Sequence, residues 1–156
     1  MADTRVQLEA EDWVTREWMA SAFGQGFHRD RVSLRSGGVF DFDAVSQDGK
    51  MIATISTSSA MTSSGKLAVG KLQKIRADML FLLLADAERR VVVLTESDMY
   101  DLCIKEREGG RVPPEIEFTH AELPGPLKTK LIEAKKSASE EVQPHKNKPS
   151  VNRSGT

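Results

Sequence analysis

The dipeptide Asp48-Gly49 constrains this chain more than any other feature, because it stands between two runs of alternating polarity, Val39–Ser46 and Lys50–Ser58. Asp-Gly suits a two-residue hairpin turn, whose twist matches that of the flanking strands and whose backbone needs the conformational freedom of glycine. Side chains alternate strictly along a strand, so the turn dictates which residues meet. Phe42 then faces Ile55 and Phe40 faces Thr57 on one side of the hairpin. Asp43 faces Thr54, Asp41 faces Ser56 and Val45 faces Ile52 on the other. One side is core. The other sets two carboxylates opposite two hydroxyls, which asks for an explanation.

The remaining chain divides into short periodic segments. Val14, Trp18 and Ala22 recur at four-residue spacing, with Met19 and Phe23 widening the stripe, and predict a helix over Ala10–Phe23 that ends at Gly24 and Gly26. Arg31–Leu34 is a short strand closed by Ser36-Gly37-Gly38. Beyond the polar loop Ser58–Ser64, a helix is predicted over Gly65–Ala87 on the stripe Ala68, Leu72, Ile75, Met79 and Leu82. Its second half is apolar all round and is expected to be buried. Arg90–Thr95 is a β-branched run suited to a strand covered on both faces. Ser97 is expected to cap a helix reaching Arg107, Ile116–Glu122 alternates as a strand, and Pro126–Lys136 is a last amphipathic helix. The order α-β-β-β-α-β-α-β-α predicts an α/β layered domain.

Composition narrows the function classes. A chain of 156 residues suits one domain. That domain is expected over residues 1–137, followed by a disordered tail over residues 138–156 whose few apolar residues cannot offset ordering costs. The longest apolar run, Met79–Leu84, is far short of the roughly 20 residues a membrane span needs, and the first residues lack a signal-peptide layout. A cytoplasmic protein without membrane contact is the expectation. The single Cys103 excludes an internal disulfide framework, and His28, His120 and His145 lack zinc-ligand spacing. Gly65–Lys71 satisfies the beginning of a phosphate-loop pattern, but Leu72 stands where Ser or Thr must reach Mg²⁺, so nucleotide hydrolysis is rejected.

Charge is unevenly spread. From Lys128 onward there are seven basic and three acidic residues, leaving 15 basic against 20 acidic in the first 127. A body that acidic does not suit a dedicated high-affinity nucleic-acid binder. Lys66, Lys71, Lys74 and Arg76 nevertheless fall close together with no acid among them, a cluster able to neutralise phosphates. Gly70 beside Lys71 permits close backbone approach.

The segment FDFDAVSQDGKMIATIS, Phe40 to Ser56, together with the helix before it and the helix and strand after it, resembles the PD-(D/E)XK superfamily of restriction-endonuclease-like nucleases. The resemblance implies a restriction-endonuclease-like core: a mixed sheet with a central β-hairpin meander flanked by helices. It implies metal-dependent phosphodiester hydrolysis, with an Asp and a Glu across the hairpin holding Mg²⁺ and a Lys two residues beyond the Glu. Asp43 takes the Asp position, Thr54 the Glu position and Ser56 the Lys position. Asp41 lies two residues from Asp43 as an auxiliary acid, and Glu17 is a further metal ligand by analogy with an acid drawn from the first helix. Thr54 and Ser56 supply neither carboxylate nor ammonium, so the resemblance is to a degenerate member, expected to be weakly active or inactive. The partner it implies is DNA, held by Lys66, Lys71, Lys74 and Arg76. The rival expectation is a non-catalytic, regulatory or homodimeric interaction module on the same fold, without cofactor, with a protein or itself as partner.

Overall fold

The computed structural model describes the backbone of residues 4–146 and the side chains of residues 4–138. A first helical rod comprises α1 (Arg5–Trp13), a π-helical turn (Val14–Trp18) and α2 (Met19–Phe23), joined without a break because Val14, Trp18 and Met19 keep helical dihedrals. Gly24, at φ 72°, ends it in the left-handed conformation that glycine adopts at little cost. Then follow β1 (Phe27–Ser33), β2 (Val39–Ser46), β3 (Met51–Ser56), α3 (Val69–Leu84), β4 (Arg89–Leu94), α4 (Ser97–Glu108), β5 (Ile116–His120) and α5 (Gly125–Lys146). Among the described residues, no helix is long and apolar enough to cross a membrane.

The strands form one mixed sheet in the order β1-β2-β3-β4-β5. The first three are an antiparallel meander, and β4 and β5 add in parallel through the crossover helices α3 and α4. Crossovers of this kind place a helix on a sheet face, so the central strands are covered on both sides. One apolar core unites Ala10, Val14 and Met19 of the first rod and Leu127 and Leu131 of α5 with Ala53, Ile55, Val91 and Val93 of the sheet. The opposite core unites Ile75, Met79 and Leu82 of α3 and Met99 and Cys103 of α4 with Phe42, Ile52, Val92 and Leu94. Alternation along β3 and β4 deals their residues to the two cores in turn. Full burial of a side chain such as Phe42 contributes about 1.5–3 kcal/mol. The result is an α/β domain with a five-stranded mixed sheet between helical layers.

Three departures from the periodic reading have physical causes. The chain reverses between Ser46 and Met51 and Val45 faces Ile52 as expected, but not through a two-residue Asp48-Gly49 turn. The Gly49 N–H bonds the Ser46 carbonyl, which makes Gln47 and Asp48 the central residues, and Gly49 follows at φ 72°. The β2–β3 ladder nevertheless extends only to Ala44 and Ala53. On its other side β2 carries a bulge: His28 pairs with Val45 and Asp30 with Phe42, so Arg29 alone stands opposite both Asp43 and Ala44. The additional residue reverses the alternation, and Val45 joins Phe42 in the α3 core instead of sharing a face with Asp41. Secondly, α3 begins at Val69, after a loop turned by Gly65 at φ 79° and fastened by the Met61–Leu67 bridge, so Lys66 lies outside the helix. Its second half is not buried all round. Leu80 is 55% exposed, because α3 covers one sheet face and leaves its outer side to solvent. Thirdly, α5 continues to Lys146, so the tail expected from residue 138 overlaps the end of this helix and otherwise lies outside the described residues.

Candidate functional site

Two one-residue irregularities meet at Asp43. The bulge in β2 lifts Asp43 out of the regular pleat, and the π-helical turn in the first rod swings Thr15 inward until it is buried. The Thr15 hydroxyl lies 3.0 Å from the Glu11 carbonyl oxygen and 3.0 Å from the Asp43 carbonyl oxygen, so its single proton ties the helix to the bulge. Bulges and π-turns both weaken regular hydrogen bonding, and both occur often where a fold must re-aim a side chain. Each repairs the other here.

The Asp43 carboxylate occupies the seam where β2 and β3 part. Its Oδ2 accepts the Ile55 N–H at 2.8 Å, in place of a carbonyl of the facing strand. Burial raises the pKa of Asp43 from its ordinary value, against the lowering effects of the Ile55 N–H and of the Arg29 and Lys74 charges. Glu11 is also raised, first by burial and then by the charge of Asp43. A hydrogen bond of 3.3 Å from Gln7 Nε2 reaches Glu11 Oε1 and counters part of that shift. On α3, Asp78 is raised mainly by burial, while Lys74, 3.3 Å from its Oδ2, opposes the rise. Glu11, Asp43, Arg29, Thr15 and Arg16 line a cleft of about 490 Å³ between the first rod and β1. Anionic side chains kept in desolvated surroundings raise the folded state's energy, and that arrangement is typical of functional sites.

The residues singled out in the sequence scatter around this centre. Asp41 is exposed and pairs across the strands with Arg31, Nε to Oδ1 at 3.1 Å. Such a surface pair contributes about 0–1 kcal/mol. Glu17 is exposed on the rod. Neither lines the cleft. Thr54 is buried beside Val92 under α3, and its hydroxyl has no hydrogen-bond partner among the described residues. Ser56 closes β3, where its Oγ accepts the Ser58 N–H at 3.3 Å and its carbonyl accepts the Thr95 N–H. Of the four cations, Lys74 is electrostatically coupled to both Glu11 and Asp43. Lys71 is exposed and lines a neighbouring groove, as Lys74 does. Arg76 turns to α4 and bonds Glu106 at 2.9 Å, and Lys66 is exposed in the loop. A Cβ added at Gly70 would meet nothing within 4 Å, so the chain there is open to approach.

Glu11, Thr15, Arg29 and Asp78 are absent from the sequence-derived set. Asp78 was detectable: a carboxylate set between Ile75, Met79 and Leu82 on a buried stripe needs a partner, and Lys74 stands one turn earlier. Glu11 was not. The π-turn holds one more residue than a regular turn, so the faces before and after it differ in phase by about 100°. The analogy with a first-helix acid selects Glu17 instead.

The described residues contain no group of three or more His, Cys, Asp or Glu side chains arranged to hold a metal ion. The positions implied by the nuclease resemblance do not form a cage either, since Thr54 offers only a hydroxyl buried on the α3 side. Glu11 and Asp43 do match a weaker requirement. Mg²⁺ keeps several waters and is commonly held by one or two carboxylates together with substrate phosphates. Compared with models of protein families, with curated proteins and with solved structures, the chain matches none.

Proposed function

We propose that this is a nuclease-like, nucleic-acid-associated protein on a restriction-endonuclease-like core, with a reduced metal site made of Asp43 and Glu11. The observation that carries the reading is the Asp43 carboxylate, pinned by the Ile55 N–H at the open seam of the sheet beside a second desolvated carboxylate. The element order and the antiparallel meander followed by parallel crossovers support it as well.

Asp43 and Glu11 would hold Mg²⁺, and the ion when bound would draw charge from a non-bridging phosphate oxygen. Asp43 is rigid by virtue of its two anchors, the Ile55 N–H on the side chain and the Thr15 hydroxyl on the carbonyl. Lys74 supplies from α3 the cation that Ser56 lacks, close enough to act on both acids. Its ammonium favours the negative charge that gathers on a phosphodiester as water adds and the sugar oxygen leaves. With one fully fixed carboxylate and no third ligand among the described residues, turnover is expected to be slow.

The test is hydrolysis of single- and double-stranded DNA and RNA with Mg²⁺ or Mn²⁺. The reading expects cleavage that is abolished by chelation and by Asp43→Asn, and reduced at least tenfold by Lys74→Ala. Cleavage that survives Asp43→Asn, or no metal-dependent cleavage of any of the four substrates, refutes it. A second reading, a non-catalytic module that self-associates, has the exposed Leu80 in its favour. It expects a concentration-dependent mass that Leu80→Lys returns to that of a monomer.

A further inference from the structure

Beside the carboxylate cleft runs a larger groove of about 1130 Å³, walled by the loop between β3 and α3, the start of α1, and the exposed flank of α5. Among the described residues its ionisable lining consists of Lys71, Lys74, Lys135 and Lys136, with no acidic residue. In a chain whose first 127 residues carry five more acidic than basic side chains, this segregation is not a sample of the average surface. Lys74 and Lys135 are held by Asp78 and Glu96, which lie outside the lining, whereas Lys71 and Lys136 form no ion pair among the described residues.

Between the lysines the lining mixes apolar side chains with the hydroxyls of the loop between β3 and α3. Met61, Leu67, Val69 and Ile132 are each about half exposed, and all four face this one groove. Two residues of the groove reach toward the acids of the cleft. Gln7 lines the groove and bonds Glu11, and Lys74 lines the groove and acts on Asp43.

We infer that the groove is the track of a single nucleic-acid strand, leading its backbone past Gln7 and Lys74 to the carboxylate pair. The inference deepens the nucleic-acid reading above and rests on it. Lysines without acids match a polyanion, and the links from Gln7 to Glu11 and from Lys74 to Asp43 set the direction in which the polyanion must run. The apolar lining selects the strandedness. A duplex turns phosphates and sugars outward and stacks its base faces inside, so it has nothing to bury against Met61, Leu67, Val69 and Ile132. An unpaired strand presents base faces beside its phosphates and satisfies both kinds of lining.

The experiment is fluorescence anisotropy in EDTA, which separates binding from cleavage, using a labelled mixed-sequence DNA strand, its RNA counterpart and the corresponding duplex. The strand is expected to bind at least tenfold more tightly than the duplex. Each lysine that meets a phosphate adds about 0.7 to the salt slope for a single strand, so Lys71→Ala with Lys136→Ala lowers that slope by about 1.4. Leu67→Glu and Ile132→Glu are each expected to weaken strand binding at least tenfold. Both positions are about half exposed, so an unchanged melting temperature certifies the fold of each variant. Equal or tighter duplex binding, an unchanged slope, or displacement of the strand by anionic phospholipid vesicles or an acidic peptide overturns the inference. Strand binding without any later metal-dependent cleavage overturns the carboxylate chemistry and keeps the groove. Cleavage that is indifferent to the groove variants keeps the chemistry and overturns the groove.

Discussion

Thr54 offers the sharpest single perturbation. It sits in the middle strand of the meander, 2% exposed, paired in register with Val92 and packed on the side of α3. Its hydroxyl has no hydrogen-bond partner among the described residues. Valine has nearly the same shape, favours strands, and brings no polar atom, so Thr54→Val removes an uncompensated hydroxyl while leaving the packing intact. Burying such a hydroxyl costs about 1–3 kcal/mol in proteins. The variant is therefore expected to be more stable by about that amount. At roughly 2–4 °C per kcal/mol for a chain of this size, the melting temperature rises by roughly 2–12 °C. The assay is reversible urea unfolding at constant slope, with thermal melting as a second readout. A stability equal to or below that of the natural chain would refute the reasoning, because the hydroxyl must then be satisfied in solution. The variant also bears on function. Metal binding unchanged in Thr54→Val would exclude this position from the working site, although the nuclease resemblance places a metal ligand there.

Asp43→Asn keeps the acceptor for the Ile55 N–H but removes the buried charge. Because burial lifts the native pKa of Asp43 above its ordinary 3.8, the folded state holds its proton more tightly than the unfolded state. The associated stability is complete below about that value and is lost as the pH climbs through the higher native value. The variant should therefore be the more stable protein at neutral pH and lose that advantage on acidification, which paired urea titrations at several pH values will show. A constant advantage would contradict the sign. Thr15→Val leaves the Asp43 carbonyl without its donor and should cost about 1–3 kcal/mol in the same assay. Gly49→Ala forces a Cβ into a backbone at φ 72° and should cost about 1–2 kcal/mol, with no effect on metal binding. Cys103, whose thiol burial pushes up to about 11, should resist alkylation at pH 8 until the protein unfolds.

The legible parts of this fold are those where a period runs unbroken. The chain reversal before Gly49, the stripe Leu72-Ile75-Met79-Leu82 and the β-branched run of β4 each read directly as the element they form. Their order was enough to give the α/β layering, because two parallel additions require crossover helices. The centre was less legible because two periods are interrupted there by one residue each. The bulge opposite Arg29 sends Val45 to the α3 core, and the π-turn brings Glu11 and Thr15 to β2 while leaving Glu17 exposed. Neither insertion has a compositional signature such as glycine or proline. Each is stabilised by a tertiary bond, from Thr15 to the Asp43 carbonyl, that no local pattern announces. Asp43 was visible as a carboxylate on a strand beside core phenylalanines. Its companion was not.

The account turns on Asp43 and Glu11 acting together on a divalent cation. Isothermal titration of Mg²⁺ and Mn²⁺ into the full chain tests that without requiring turnover, with Asp43→Asn, Glu11→Gln and Asp41→Asn titrated alongside. The predicted result is binding that is lost in the first two variants and retained in the third, since Asp41 is engaged with Arg31 at the surface. Binding unaffected by either Asp43→Asn or Glu11→Gln, or lost only with Asp41→Asn, would contradict it.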